Sequence, residues 1–354
     1  MNPFSIVLLL LLGYLLQRIS LEHCLDGISY DTESDRKLVE SREEFHLITT
    51  LKNARRLPVF FLRLRETIPA SLSSSDPSVH ISNAYHNRSY AYLEQSFYLL
   101  PQQKAVRTLS VSLPQRGRYL LRGADLTSGD LLGLKEKTVH IDRFKEIIVI
   151  PPRCALGKLE RSFNGYLGEV SVRRFIMPDP IDTVGFREYS GREPQKDISW
   201  TETLKRNRLI VKQYDYTAEQ RATVLLDISS DDPGKIEAAY SLARTVCEEL
   251  EKKHIRFSFR TDAHISTPQG NRSYVPEGSG RKHLETVYEY LGRAGYSRLQ
   301  HCEKLLENAV QNRSEQRSYI LICAEAKNVQ DLVRRKEKEL GQRIFVMDAG
   351  EVQS

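Results

Sequence analysis

Asp227-Ile228-Ser229-Ser230-Asp231-Asp232, followed by Pro233 and Gly234, places five oxygen-bearing side chains in six positions. The run follows the apolar stretch ATVLL, so Asp227 stands at the tip of an expected strand. Oxygens two and four positions further on bring Asp227, Ser229 and Asp231 toward one point. Hard divalent ions such as Mg2+ take oxygen donors of this kind and keep several waters besides. The same residues also suit a helix start, with Ser230, Asp231 or Asp232 as the N-cap ahead of Pro233. Spacing alone leaves both readings open.

Other chemistries lack their residues. There is no G-x-G-x-x-G after a strand and no Walker loop, so no nucleotide is expected. The nucleophile elbow G-x-S-x-G and the metal-binding HExxH are also missing. Five cysteines (Cys24, Cys154, Cys247, Cys302, Cys323) include no CxxC pair, which disfavours a zinc site or a disulfide framework. No catalytic set emerges, and the chain reads as a non-enzyme. The alternative is a metal-dependent hydrolase, in which Asp227 and Asp231 hold a Mg2+ ion that activates water.

The elements around this run alternate helix and strand. Residues 217–354 read as a Rossmann-like α/β domain, with apolar strands at Ala222–Ile228, Ile255–Phe259, Tyr319–Cys323 and Arg343–Met347. Helical spacing covers Pro233–Leu250, Arg281–Ala294, Tyr296–Gln311 and Val329–Leu340. Residues 27–152 carry short alternating runs such as FFLRLRE and RTLSVSL, the pattern of an immunoglobulin-like β-sandwich. Residues 153–216 read as a connector whose VRRFIMPDP is punctuated by proline.

Met1 to Gln17 carry no charged side chain, and residues 1–20 are expected to form a membrane anchor helix. Arg18 on its C-terminal side places the body in the cytoplasm of a single-pass protein of the cell membrane. A cleaved leader on an exported adhesion protein is the competing reading. The fold class expected is therefore α+β multidomain: membrane helix, β-sandwich, then α/β domain. The formal net charge of +6 lies wholly before residue 217, and no segment is basic enough for a nucleic-acid grip.

The segment from Gly185 to Tyr216 contains Arg187-Glu188-Tyr189, Gly191 and Asp197-Ile198-Ser199-Trp200, followed by basic residues. With the upstream VRRFIMPDP, it resembles the bacterial domain of unknown function 58 family. The resemblance implies a von Willebrand factor A-like C-terminal domain and a MoxR-type AAA+ ATPase as partner. It also implies that Arg187, Tyr189, Gly191, Asp197 and Trp200 are structural or partner-binding. The family's metal-adhesion motif is D-x-S-x-S, which Asp227 and Ser229 match, whereas Asp231 replaces the last Ser. The second-loop Thr and the acid after YILIC have no equivalent, so the implied Mg2+ site is degenerate. Many members carry two membrane helices, where this chain offers one.

Overall fold

The computed structural model describes residues 3–76, 79–83, 89–130, 134–157, 159–174, 183–214, 221–267, 270–271, 273–310 and 317–351. The chain divides into two compact units, Met1–Pro152 with Leu291–Arg293, and Arg153–Tyr290 with Ala294–Ser354.

The first unit opens with helix α1 (Pro3–Glu22) and continues, among the described residues, as ten strands. These are β1 (Ile28–Ser34), β2 (Leu38–Glu40), β3 (Glu44–Asn53), β4 (Val59–Pro69), β5 (Ser73–Ser74), β6 (His80–Asn83), β7 (Tyr90–Leu99), β8 (Lys104–Ser112), β9 (Gly117–Gly129) and β10 (Glu136–Ile150). A four-stranded sheet, β1-β3-β8-β5, and a six-stranded sheet, β2-β10-β9-β4-β7-β6, make a β-sandwich. Alternation along β3 buries Phe45, Leu47, Thr49, Leu51 and Asn53, and the strand's intervening residues are more exposed. Phe45, Leu47, Leu93, Leu109, Val111 and Ile147 belong to one buried cluster. Pairing of β9 with β10 shifts register between Asp142 and Lys145. Opposite the shift is Gly123 at φ +116°, where a Cβ would lie 2.1 Å from the Ile141 carbonyl oxygen. Only glycine permits that approach.

In the second unit, α2 (Leu159–Arg174) precedes the hairpin of β11 (Thr183–Glu188) and β12 (Ile210–Tyr214), with α3 (Trp200–Arg206) between the two strands. The strands that follow are β13 (Arg221–Asp227), β14 (Arg256–Thr261), β15 (Ala263–Thr267), β16 (Gly270–Asn271), β17 (Tyr274–Gly278), β18 (Ala294–Arg298), β19 (Ser318–Cys323) and β20 (Ile344–Asp348). They are interleaved with α4 (Pro233–Lys252), α5 (Arg281–Arg293), α6 (Cys302–Val310) and α7 (Gln330–Leu340). The main sheet runs β17-β14-β13-β19-β20. Its central strand β13 is parallel to both neighbours, and β17 is an antiparallel edge. Residues Ala222 to Asp227 of β13 are all buried, as a strand covered on both faces requires.

The expected fold class is corrected in three respects. Among the described residues strands make up 45% and helices 30%, so that part of the molecule is mostly β. The main sheet of the second unit is mixed, with β14, β13, β19 and β20 parallel and β17 antiparallel, and β15, β16 and β18 form a separate small sheet. Among the described residues, no helix is long and apolar enough to cross a membrane. The membrane anchor and the single-pass localisation therefore fall. The physical reason is the length of the uncharged part of α1: from Pro3 to Gln17 it spans about 22 Å, against a hydrocarbon core of about 30 Å. Beyond it α1 turns polar and joins the sandwich. Arg18 pairs with Glu22 at 3.2 Å, and Gln17 donates to the Asp130 carboxylate at 2.6 Å. Lys137 donates to the Glu22 carbonyl at 2.7 Å.

Candidate functional site

Parallel pairing sets Leu226 of β13 beside Thr261 of β14. The next residue on each strand is an aspartate, so Asp227 and Asp262 meet at the carboxyl edge of the sheet. Both are wholly buried. Asp227 Oδ1 accepts from the Ser229 hydroxyl at 2.7 Å, and Asp262 Oδ1 accepts from the Ile228 N–H at 3.0 Å. The second oxygen of each, Asp227 Oδ2 and Asp262 Oδ2, is sealed from solvent without a hydrogen-bond partner. The backbone around them is tied at every side. The Asp262 N–H donates to Leu226 O at 3.2 Å, Leu299 N–H to Asp262 O at 2.6 Å, and Ala324 N–H to Asp227 O at 3.0 Å.

Two carboxyls this close and this buried cannot both ionise cheaply. Burial, and next the Asp227 charge, push the Asp262 carboxyl up to about 8. The thiol of Cys302, on the first turn of α6, is raised by burial and then by Asp227, which keeps it protonated.

Outside this buried pair lies an open cavity of about 450 Å3, lined by Ser229, Ser230, Asp231, Asp232, Arg298 and Glu325. Ser229 belongs to both layers, because its hydroxyl bonds Asp227 and accepts from Arg298 Nη1 at 2.9 Å. Glu325 Oε1 accepts from Ser230 at 3.1 Å and from Lys235 at 2.7 Å. Asp232 is the N-cap of α4, accepting from the Gly234 N–H at 2.8 Å with Pro233 in the first turn.

The motif thus divides its labour. Asp227 and Ser229 are joined, Asp232 caps the helix, and Asp231 is exposed on the cavity rim. Among the described residues, no three His, Cys, Asp or Glu side chains converge as a metal set. Asp262, which sequence reasoning passed over, is the residue facing Asp227. Its one local signal is its place directly after an apolar strand.

The residues Arg187, Tyr189, Gly191, Asp197 and Trp200 sit on and around the β11–β12 hairpin. Arg187 pairs with Glu193 at 2.6 Å, and Ser190 donates to the same carboxylate at 2.6 Å. The Ser190 hydroxyl, with the Ser190 N–H and Arg187, holds Glu193 down at about 2. Gly191 makes this turn at φ +86°. The Tyr189 N–H donates to Leu209 O at 2.9 Å, Asp197 ends a short 3-10 turn, and Trp200 opens α3 with 63% of its surface exposed. These contacts all fall within residues 183–214 and make the hairpin a local unit. Phe175 to Pro180 of the upstream stretch lie outside the described residues.

No family model matches the chain, and no curated protein matches it. Among solved structures it is similar to the CARDB domain of the PF1109 protein from Pyrococcus furiosus, at 16% identity, covering 34% of this chain and 91% of that one, with a TM-score of 0.22. It is also similar to a cohesin module from a Clostridium perfringens family 33 glycoside hydrolase, at 12% identity, covering 35% and 96%, with a TM-score of 0.25. Spo0M, a sporulation control protein from Bacillus subtilis, is 14% identical over 46% of this chain and 58% of its own, with a TM-score of 0.21.

Proposed function

We propose that this chain is a non-enzymatic protein-interaction module, an adaptor for a MoxR-type AAA+ ATPase, and that it engages its partner through the loop face at Asp227–Asp232. The observation that carries the reading is the cavity at the carboxyl edge of the sheet. It presents Asp231, Asp232 and Glu325 together with Arg298 over a rigid, hydrogen-bonded floor. Mixed charge on a rigid face is suited to recognising a polar protein surface. A general base must reach the proton it takes, and Asp227 and Asp262 are sealed below the cavity, which disfavours the hydrolase alternative. The resemblance of Arg187–Trp200 to the domain of unknown function 58 family supplies the partner class.

A Mg2+ ion belongs to the same reading, and the residues fit it in one respect. Asp227 Oδ2 is a buried carboxylate oxygen that no donor satisfies. Asp227, with Ser229 beside it, would hold the ion, which would supply a positive charge for a partner's carboxylate to complete. The experiment is co-purification of the full chain with the ATPase in Mg2+ buffer. Asp231→Ala is expected to lose most of the recovered ATPase. Wild-type recovery by a correctly folded Asp231→Ala protein would remove this face from the reading.

A further inference from the structure

We propose that the first unit binds one long-chain fatty-acid anion in the cavity where the end of α1 meets the start of β4, with its carboxylate on Arg55 and its chain along Ile19, Leu57, Val59 and Phe60. The cavity measures about 610 Å3, within the roughly 300–1,000 Å3 of small-molecule sites. It shares no residue with the loop face of the second unit, and the adaptor reading does not depend on it.

Local structure opens the cavity. Pairing of β4 with β7 shifts register between Val59 and Leu62, and pairing with β9 starts only at Leu62. A bulge of this kind takes side chains out of the regular pleat and re-aims them. Phe60 and Leu57 line the cavity with 73% and 61% of their surfaces in water, and Ile19 of α1 stands beside them at 55%. Large apolar side chains gathered on one concave face mark a binding surface, where singly scattered ones would not. An aliphatic chain laid over them removes that surface from water. Ile19, Leu57, Pro58, Val59 and Phe60 offer the chain no side-chain donor or acceptor, so a peptide or nucleotide there would leave its polar groups unanswered.

The head group follows from charge. Arg55 is half-buried, and its Nη1 donates to the His23 carbonyl at 2.6 Å and the Cys24 carbonyl at 3.1 Å, which fixes the guanidinium on the cavity wall. Among the described residues no carboxylate pairs with it, so the rest of the fork is available to an anion. A guanidinium fork matches the geometry of a carboxylate. The one acid in the lining, Asp130, is already engaged: its oxygens accept from Gln17 at 2.6 Å and from the Leu134 N–H at 2.8 Å.

The test titrates the full chain, purified without detergent, with cis-parinaric acid, a fluorescent long-chain fatty acid, and then displaces the probe with palmitate or with hexadecanol. Wild type is expected to saturate at one site. Palmitate should displace the probe at about 10–100-fold lower concentration than hexadecanol, the difference a charge-assisted hydrogen bond makes. Arg55→Gln should lose that preference and bind hexadecanol as wild type does. Phe60→Glu changes a side chain mostly in water, so it should keep the wild-type melting temperature and weaken both ligands by about tenfold or more. If Arg55→Gln melts early through its lost ties to His23 and Cys24, the comparison of palmitate with hexadecanol in wild type reads the same contact. Absence of saturable probe binding by wild type would overturn the proposal, as would equal displacement by the two ligands. Unchanged binding by Phe60→Glu would overturn it too, because the chain would then lie elsewhere. Uptake of many probe molecules without saturation would do the same, by assigning the binding to the exposed apolar side chains of α1.

Discussion

Both units bury a carboxylate, and they account for it in opposite ways. In the sandwich, Glu66 is enclosed between the sheets and fully answered. Its Oε1 accepts from the Tyr30 hydroxyl and the Thr49 hydroxyl, each at 2.9 Å, and its Oε2 is paired with Arg107. Tyr30 is raised in turn, by burial first and then by the Glu66 charge, so it stays a donor. In the second unit, Asp227 and Asp262 are as deeply buried, yet among the described residues no basic side chain answers either, and burial with the Asp227 charge pushes Asp262 up to about 8. Burial does not distinguish them; the count of donors does. A satisfied buried acid holds a fold together, whereas an unsatisfied pair costs stability and persists where something else binds it.

Removing the acid from each region should break this contrast in opposite directions. Glu66→Ala strands the Arg107 guanidinium, whose side chain is only 11% exposed, and should cost about 3–5 kcal/mol. Urea unfolding followed by far-ultraviolet circular dichroism measures it. A loss below about 1 kcal/mol would place Glu66 among the weakly coupled surface pairs. Above about pH 8, where the Asp262 carboxyl would otherwise ionise, Asp262→Asn removes a buried like charge and keeps a donor for Asp227. It should gain about 1–2 kcal/mol by the same measurement, the worth of one satisfied hydrogen bond to a charged group. A destabilised Asp262→Asn would mean that the carboxyl pair is itself a structural bond.

How far these regions could be read in advance follows from what each signal depends on. Strand β3 was legible because its apolar residues alternate. From its sequence β10 reads as two strands, Leu131–His140, whose first three residues lie outside the described ones, and Glu146–Ile150, because the register shift between Asp142 and Lys145 interrupts the alternation. The helix expected over Tyr296–Gln311 begins instead at Cys302. Residues Ala294 to Arg298 pair with β15, and Leu299 is tied to the Asp262 carbonyl, so tertiary hydrogen bonds override the local spacing. The loop Asp227–Asp232 announced itself by composition, and its capping role by Pro233. Asp262 did not, since parallel register rather than sequence neighbourhood brings it to Asp227. The charge-free N-terminal run was equally visible, but hydropathy gave no account of Gln17 and Lys137, whose bonds fasten the end of α1 to the sandwich.

The smallest effect sharpens the contrast from its exposed side. His140 lies between two acids on the sandwich surface, with ring nitrogens 2.6 Å from Asp125 and 3.1 Å from Asp142. The hydrogen bond to Asp125, then that to Asp142, raises it above its ordinary 6.5, while slight burial opposes them. A histidine raised on folding stabilises the fold fully below its unfolded value, and the contribution is lost as pH rises through the folded value. The imidazole resonances should therefore titrate above 6.5, and stability should fall across neutral pH and upward. With 55% of the side chain in solvent, screening holds the effect to a few tenths of a kcal/mol. Asp125→Asn should return the titration toward 6.5 and flatten that slope. A midpoint at or below 6.5 in wild type would show that these two acids contribute nothing the solvent does not already supply.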